Sequence, residues 1–348
     1  MAVSTSSPAT PDQGRVTLKQ ALLLVGFSLL LGLLGLELAA RSYSYWLGKG
    51  FWSRPHSFES PFFVTYDGPV PYFEGEGAFF RHGVRVPIRK PADELRVVCL
   101  GGSTTVNERA LPEENYTRLA ETGLRRSFTQ KRVVVLEAGG DAFATAHSVV
   151  NFSLRLLALE PDVATLLHNI NDLTAQNFGE RLQPDYANKY LDDAFLAFEH
   201  RGGFGGIVFR TSRAAQMLRW RFTILKKVFE KNSYGERVAN PEDGRAAFRR
   251  NLVTFVAVAR AHGVAPVLIT QSHAAGEAAI GGEFLVYNDL VRAVARETGA
   301  ALVDAGPLLS GQTRFFVDDV HMNGQGLAEL ARLVEPVVAD ELRKRGAR

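Results

Sequence analysis

The residue best placed to do chemistry is Ser103, which lies on a predicted turn. It follows Gly101 and Gly102, which end a short apolar run that begins at Val97 and predicts a buried strand. Two glycines allow the backbone to bend sharply and leave space beside it. Because open α/β sheets carry their chemistry at the carboxyl ends of parallel strands, Ser103 is a candidate nucleophile.

An aspartate and a histidine near the carboxyl terminus could supply the base that a nucleophilic serine needs. Asp318 and His321 lie three residues apart on a predicted loop. A turn at that spacing can bring the carboxylate to Nδ1 of the imidazole and leave Nε2 for Ser103. Asp319 is a competing partner, but adjacent side chains point in different directions. Taken alone, the spacing is also typical of a surface loop, with Asn323 as the cap of the next helix.

Two further strand ends carry groups that could donate hydrogen bonds to an oxyanion. Asn171 follows the predicted strand 162–168, so its side-chain amide would emerge beside the serine turn. An ordinary Asx turn is the alternative interpretation. Gly139 and Gly140 follow the predicted strand 132–137 and permit a tight turn whose N–H groups face the site. The alternative there is a plain turn between a strand and a helix.

The segments between these residues alternate between strand-like and helix-like patterns. Apolar strands that alternate with helices predict an α/β fold, in which a parallel sheet is covered on both faces. The predicted strands span residues 96–100, 132–137, 162–168, 265–270 and 300–304. The predicted helices span residues 112–129, 143–159, 242–262, 283–298 and 323–345.

Two regions lie outside this alternation. Residues 42–94 are rich in aromatic residues, Gly and Pro, and we predict a connector that packs on a main domain at 95–348. Residues 173–241 form a predicted helical insertion or cap, in which basic and apolar residues interleave from 209 to 231. That run is typical of a cap helix with solvated charges. A helix on a membrane surface, or one that binds an acidic polymer, is the alternative.

A long apolar segment near the amino terminus predicts a membrane anchor. Residues 21–40 carry one charge, Glu37, and are long enough to cross a bilayer as a helix. We predict a disordered tail at 1–18 and a single transmembrane helix at 19–41, with the rest of the chain on the extracytoplasmic side of the cell membrane. A cleaved signal peptide is the alternative, although its apolar core is usually shorter. A buried soluble helix is disfavoured, because the segment is apolar on every face.

The composition excludes several classes of protein. With 348 residues, of which 46% are hydrophobic and 22% charged, the chain can form a large globular core. Its formal charge of +3 is too small to indicate a nucleic-acid partner. The single cysteine, Cys99, can form neither a disulfide nor a zinc cluster within the chain, and we expect a buried, inert thiol. His168 and His273 have no second ligand at metal spacing, so we expect neither metal nor cofactor.

In their order along the chain, these motifs resemble those of the SGNH hydrolases, also called GDSL-like esterases. The resemblance covers residues 95–345 apart from the insertion. Gly101–Ser103 matches the nucleophile block, with glycine where aspartate is common. Asn169–Asp172 matches the block Gly-x-Asn-Asp, with Asn169 in place of its glycine. Asp318 and His321 match the block Asp-x-x-His fully.

The resemblance implies a three-layer, flavodoxin-like fold with five parallel strands. It also implies that the N–H of Ser103 and the side chain of Asn171 hold the oxyanion, together with an N–H of the second block. That block matches least well: the spacing assigns its donor to Ala142, with Gly140 beside it. His321 would deprotonate Ser103 for attack on an ester carbonyl.

The function that this resemblance implies is that of a membrane-anchored serine esterase. Its expected substrates are O-acyl, for example acetyl, esters of a cell-surface or exported polysaccharide. An esterase for lipids or lysophospholipids and an O-acyltransferase are alternatives. A catalytically silent module that binds glycan or assembles with envelope proteins is the alternative from another class.

Overall fold

The computed structural model describes a large part of the chain, in two compact units. The described residues are 17–46, 71–80, 83–107, 109–141, 143–175, 186, 211–215, 217–218, 241–276 and 282–346. One unit holds residues 17–46 and 211–218, and the other holds the remaining described residues. Most of the predicted insertion and the predicted tail therefore lie outside the described residues.

The amino-terminal unit is dominated by the long helix α1 (Leu18–Trp46). By length and composition, Leu18–Tyr43 could cross a membrane, with a mean hydropathy of 2.3. Its large apolar side chains are exposed. Near its carboxyl end, Glu37 accepts hydrogen bonds from Arg41 Nε at 2.7 Å and from the backbone N–H of Arg213 at 2.9 Å. The one charge within the apolar run is thus paired inside this unit.

The larger unit begins with a small antiparallel sheet that the sequence pattern did not predict. Its strands are β1 (Tyr72–Glu74), β2 (Gly77–Phe79) and β3 (Arg85–Pro87). They lie in the predicted connector. Ala78 and Val86 are buried in the same core as the main sheet, so this part of the connector packs on the main domain.

Five parallel strands form the main sheet, as predicted. The strands are β4 (Glu94–Gly101), β5 (Arg132–Glu137), β6 (Val163–Leu167), β7 (Ala265–Ile269) and β8 (Ala301–Val303). Their order across the sheet is β5-β4-β6-β7-β8. From β4 the chain runs first to β5 on one side and later to β6 on the other side. The carboxyl end of β4 is therefore the switch point of the sheet, where open α/β sheets bind their ligands.

Helices cover both faces of this sheet. In chain order they are α2 (Ser103–Val106), α3 (Tyr116–Ser127), α4 (Thr145–Leu154), α5 (Ile170–Ala175), α6 (Pro241–Ala261), α7 (Gly282–Thr298), α8 (Ala305–Leu309) and α9 (Gly324–Lys344). Successive residues of a strand point to opposite faces. Accordingly, Val98 and Leu100 pack with α4, α6 and α7, whereas Val97 and Cys99 pack with α3 and α9. The result is the predicted three-layer α/β/α arrangement.

A buried cation joins the small sheet to the main sheet. Arg96, on β4, is fully buried and forms an ion pair with Glu94. Its remaining N–H groups donate to the carbonyls of Leu159 at 2.7 Å, Pro87 at 2.8 Å and Ile88 at 3.1 Å. One side chain thus pairs carbonyls from the end of β3 and from the segment before β6.

Candidate active site

Ser103 lies at the switch point, where β4 turns into α2. Because it is the first residue of α2, its N–H has no acceptor within the helix. Both glycines before it are required by close packing. A Cβ on Gly101 would collide with the side chain of Thr105, and a Cβ on Gly102 would collide with the amide of Asn171. The predicted turn therefore forms, and it places Asn171 directly beside the serine.

The structure brings the three predicted side chains into one hydrogen-bonded chain. Nε2 of His321 lies 2.9 Å from Oγ of Ser103, and Nδ1 lies 2.9 Å from Oδ2 of Asp318. Oδ1 of Asp318 also accepts the backbone N–H groups of His321 at 2.8 Å and Val320 at 3.0 Å. These bonds form the turn expected at this spacing. Asp318, rather than Asp319, faces the imidazole.

The loop that carries His321 is held at both ends. Val317 N–H donates to the carbonyl of His321 at 2.9 Å, and Asn323 N–H donates to that of Phe315 at 2.8 Å. The side chain of Asn323 caps α9 by accepting the N–H groups of Gln325 at 3.0 Å and Gly326 at 3.1 Å. The predicted cap is therefore present together with the Asp–His pair, not instead of it.

Asn107 links the serine turn to the histidine loop, which the sequence analysis did not anticipate. Its N–H donates to the carbonyl of Ser103 at 2.8 Å, and its side-chain amide donates to that of Met322 at 2.7 Å. It adopts the left-handed conformation, with φ of 41°, which asparagine tolerates better than most residues. Asn107 thus links the backbone of Ser103 to the backbone of Met322, the residue after His321.

Arg109 is the second residue that sequence reasoning missed. Its guanidinium forms an ion pair with Asp318, and its side chain is 53% exposed. Burial lowers the pKa of His321, and the positive charge of Arg109 lowers it further, whereas Asp141 raises it. A general base must be neutral before it can accept a proton. The surroundings of His321 therefore favour the form that can deprotonate Ser103.

The predicted oxyanion donors differ in the hydrogen bonds that they already make. Nδ2 of Asn171 donates one hydrogen to the carbonyl of Phe143 at 2.9 Å, and an amide group carries a second one. The N–H of Gly140 donates to the carbonyl of Gly101 at 3.2 Å, so in this arrangement it is not available to an oxyanion. Ala142 lies outside the described residues. Its N–H remains the predicted donor of the second block.

Behind Asn171, a buried polar cluster secures the strand ends. Asp172 accepts the N–H of Thr145, the first residue of α4, at 3.0 Å and so ties this loop to that helix. Nε2 of the buried His168 lies 2.7 Å from Oγ of Ser148. Nδ1 of His273 accepts the N–H of Ala275 at 3.0 Å. Both histidines thus make local structural contacts.

Neither a thiol nor a metal competes for the role of Ser103 in the part of the chain that the structure describes. Cys99 is buried, and burial raises the pKa of its thiol to about 12, so its nucleophilic thiolate is not formed near neutral pH. Within the described ranges, no group of three or more His, Cys, Asp or Glu residues could hold a metal ion. The serine is the nucleophile that this arrangement supports.

Several solved structures are similar to the chain at low identity. LAE5, an alpha/beta hydrolase from the metagenome of Lake Arreo, is 16% identical with a TM-score of 0.44; the match covers 71% of this chain and 94% of that one. The lipase/acylhydrolase of Enterococcus faecalis is 16% identical with a TM-score of 0.44, and the match covers 72% of this chain and 96% of that one. The acetylxylan esterase Axe2 of Geobacillus stearothermophilus is 16% identical with a TM-score of 0.45, and the match covers 70% of this chain and 94% of that one.

A protein family also matches the chain. No curated protein matches the sequence. The family model of the GDSL-like lipases and acylhydrolases matches residues 99–328, a range that begins just before Ser103 and ends beyond His321. It covers well over half of the chain. The chain therefore belongs to the GDSL-like lipase/acylhydrolase family and is a serine hydrolase of carboxylic esters.

Proposed function

We propose that Ser103, His321 and Asp318 form the catalytic triad of this hydrolase. The observation that carries the proposal is the unbroken series of contacts from Asp318 through His321 to Ser103, each close to 2.9 Å. His321 takes the proton of Ser103 while Oγ attacks the ester carbonyl. Asp318 orients the imidazole and stabilises its charged form. His321 then returns the proton to the leaving alkoxide, and water releases the acyl group from the serine.

The negative charge of the tetrahedral intermediate requires donors beside Ser103. We assign its own N–H, the second amide hydrogen of Asn171 and, as a prediction, the N–H of Ala142. The first two arise at the ends of the neighbouring strands β4 and β6, on either side of the switch point. Removal of one such donor typically lowers turnover roughly 10²–10³-fold.

The substrate class that we propose is a short O-acyl ester on a cell-surface or exported polysaccharide. Charged and partly exposed side chains border the serine: the side chain of Arg109 is 53% exposed and that of Asp318 is 35% exposed. Such a rim suits an ester on a hydrated polymer better than the apolar chain of a lipid, because burying unpaired polar groups against hydrocarbon is costly. Helix α1 supports attachment to a membrane, by its length and composition.

The nucleophile is tested with a fluorophosphonate probe on the full-length chain in detergent. We expect the wild type to be labelled, and Ser103→Ala to be unlabelled while keeping its melting temperature. Asp319→Asn serves as a matched control, because it removes the neighbouring carboxylate that does not face His321, and it should label like the wild type. Equal labelling of Ser103→Ala and wild type would disprove the assignment. An unlabelled but folded wild type would support a silent module.

The substrate class is tested with a series of acyl esters. We expect kcat/KM for p-nitrophenyl esters to be highest for acetate and to fall as the acyl chain lengthens, and acetylated oligosaccharides to release acetate. Higher activity on decanoate or on lysophospholipids would favour a lipid esterase. Transfer of acetyl groups to a sugar, in place of their release, would identify an acyltransferase.

A further inference from the structure

A buried network of three carboxamides surrounds the residues just before Asn171. Asn169 donates from Nδ2 to the carbonyl of Phe284 and to Oδ1 of Asn288, both at 2.9 Å. Asn288 also exchanges two bonds with the backbone of Gln271: its Oδ1 accepts the N–H at 3.0 Å, and its Nδ2 donates to the carbonyl at 2.8 Å. Three separate segments thus meet at one side chain, that of Asn288 on α7.

The network reaches the backbone next to Asn171. Oε1 of Gln271 accepts the N–H of Ile170 at 3.0 Å. The side chain of Asn169 is therefore bonded to α7, and the backbone N–H of Ile170 is bonded to Gln271, which follows the end of β7. Asn169 and Asn288 are fully buried and Gln271 is 3% exposed, so water does not compete for these bonds.

This network explains the departure of Asn169 from the family pattern. The resembling block has glycine at this position, and a glycine could make neither bond of the Asn169 side chain. Phe284 and Asn288 both accept from Nδ2 of Asn169, whereas its buried Oδ1 has no hydrogen-bond partner among the described residues. The substitution is thus matched by a partner on another element.

We propose that Asn169, Asn288 and Gln271 are positioning residues for the oxyanion donor Asn171. The inference depends on the proposed function, and the hydrogen bonds of these three side chains lead to one another and to backbone groups, not to Ser103. They hold the start of α5 so that the second amide hydrogen of Asn171 points toward the developing oxyanion. Catalytic groups need placement to within about 0.5 Å, which packing and hydrogen bonds of this kind provide.

The first test compares three variants with a control. Asn288→Leu and Gln271→Met remove the carboxamides with little change in volume, and Asn169→Gly restores the family pattern. Thr298→Val lies on the same helix as Asn288 but removes a hydroxyl outside the network, which donates to the carbonyl of Val294 and accepts the N–H of Ala300. Hydrolysis of p-nitrophenyl acetate is measured per active site, after fluorophosphonate titration, together with the melting temperature.

We expect each of the three variants to lower kcat about 10–100-fold, less than the roughly 10²–10³-fold loss of a whole donor. KM should change less than about twofold, because the oxyanion exists only in the transition state and the intermediate. Thr298→Val should keep the wild-type kcat. Unchanged kcat in folded variants would overturn the inference, and Asn169→Gly and Gln271→Met decide the matter if Asn288→Leu does not fold.

The second test asks whether the network acts through Asn171. Asn288→Leu is combined with Asn171→Ala, and kcat per active site is compared with that of Asn171→Ala alone. We expect Asn288→Leu to cost less than about twofold in this background, since the group that it positions is already absent. An equal loss in both backgrounds would show a merely structural role and overturn the inference. A wild type without esterase activity would instead refute the proposed function.

Discussion

At the scale of single residues, Asp318 is shared between two cationic partners. One is His321, which becomes charged during the reaction, and the other is the permanently charged Arg109. Arg109 lowers the pKa of His321 and Asp141 raises it, so two loops act on the imidazole in opposite directions. Arg109 follows α2 and Asp141 follows β5. The pH dependence of the enzyme should therefore respond to both loops.

Substitution of Arg109 tests this influence. The acidic limb of the profile of kcat/KM against pH reports the pKa of the base in the free enzyme. Because Arg109 lowers that pKa, Arg109→Gln should move the limb to higher pH, and because Asp141 raises it, Asp141→Asn should move the limb to lower pH. Arg332→Gln, on the exposed surface of α9, is the control and should leave the profile unchanged. A limb that stays in place in Arg109→Gln would contradict the assignment.

The sequence was sufficient to predict that the three proposed triad side chains meet at one site with Asn171 nearby, but not which residues support them. The sequence alone was enough to find Ser103, Asp318 and His321, because each stands in a short motif with its own spacing or turn signal. Arg109 and Asn107 stand in no such motif: their contacts with Asp318 and Met322 depend on how two distant loops pack. Contacts of that kind are set by tertiary structure and leave no local pattern.

At the scale of elements, the turn between β4 and α2 assigns different tasks to its two glycines. Gly101 packs against Thr105 and the carbonyl of Leu167, both of which belong to the interior of the fold. Gly102 packs against the amide of Asn171 and the carbonyl of Phe143, the two groups bonded to each other at the candidate oxyanion site. The same substitution should therefore have different consequences at the two positions.

We expect Gly102→Ala to lower kcat about 10²-fold or more, since the new methyl group displaces Asn171, the proposed oxyanion donor. The melting temperature should fall much less than in Gly101→Ala, in which the methyl group meets the buried Thr105 and the carbonyl of Leu167. Steady-state kinetics and thermal unfolding of both variants provide the measurement. A fully active Gly102→Ala protein would show that Asn171 does not need its observed place beside the turn.

The two arginines that contact Glu94 offer a matched test of burial. Arg96 and Glu94 are fully buried, whereas the side chain of Arg132, which contacts the same carboxylate at 3.0 Å, is 53% exposed. Removal of one partner from a fully buried pair typically costs about 3–5 kcal/mol, and we expect Arg96→Met to lower the free energy of unfolding by that amount. Solvent screens the half-exposed guanidinium of Arg132, so its contact with the buried Glu94 contributes less. Arg132→Met should therefore lower the free energy of unfolding clearly less than Arg96→Met does.

Chemical denaturation of both variants measures these values. Similar losses in the two would mean that the buried position of Arg96 adds nothing to the stability. The carbonyls of Leu159, Pro87 and Ile88 give a second reason to expect a large loss, because Arg96→Met leaves them without this donor.

The elements of the main sheet were predictable because apolar strands alternate with longer helices along the chain. Strands β4 and β6 read as continuous apolar runs, since both faces are covered. The short helices α2, α5 and α8 are at most six residues long, which is too short for a helical period to be recognised. Strands β1–β3 have three residues each and hold together by pairing with one another, so the sequence gives no alternation to detect.

At the scale of the whole molecule, the apolar helix α1 is the feature that bears on where the enzyme works. Its 29 residues exceed the roughly 20 needed to span a bilayer, and the apolar core of a signal peptide is usually about 7–15 residues long. Glu37 does not argue against a span, because it lies toward the carboxyl end of α1 and is paired with Arg41. A retained single-pass anchor is the interpretation that we favour.

Expression of the full-length chain with a carboxyl-terminal tag tests this interpretation. We expect the protein to stay in the membrane fraction after extraction with alkaline carbonate, and mass spectrometry of the purified protein to recover peptides from residues 1–46. A matched variant with Leu30→Arg and Leu31→Arg in the middle of the span should be released, because a charge at the bilayer centre costs about 2.5–3.5 kcal/mol on insertion scales. A mature protein that begins near Arg41, and that leaves the membrane with carbonate, would instead establish a cleaved signal peptide. The enzyme would then act as a soluble exported esterase, and its substrate would no longer need to lie within reach of a membrane.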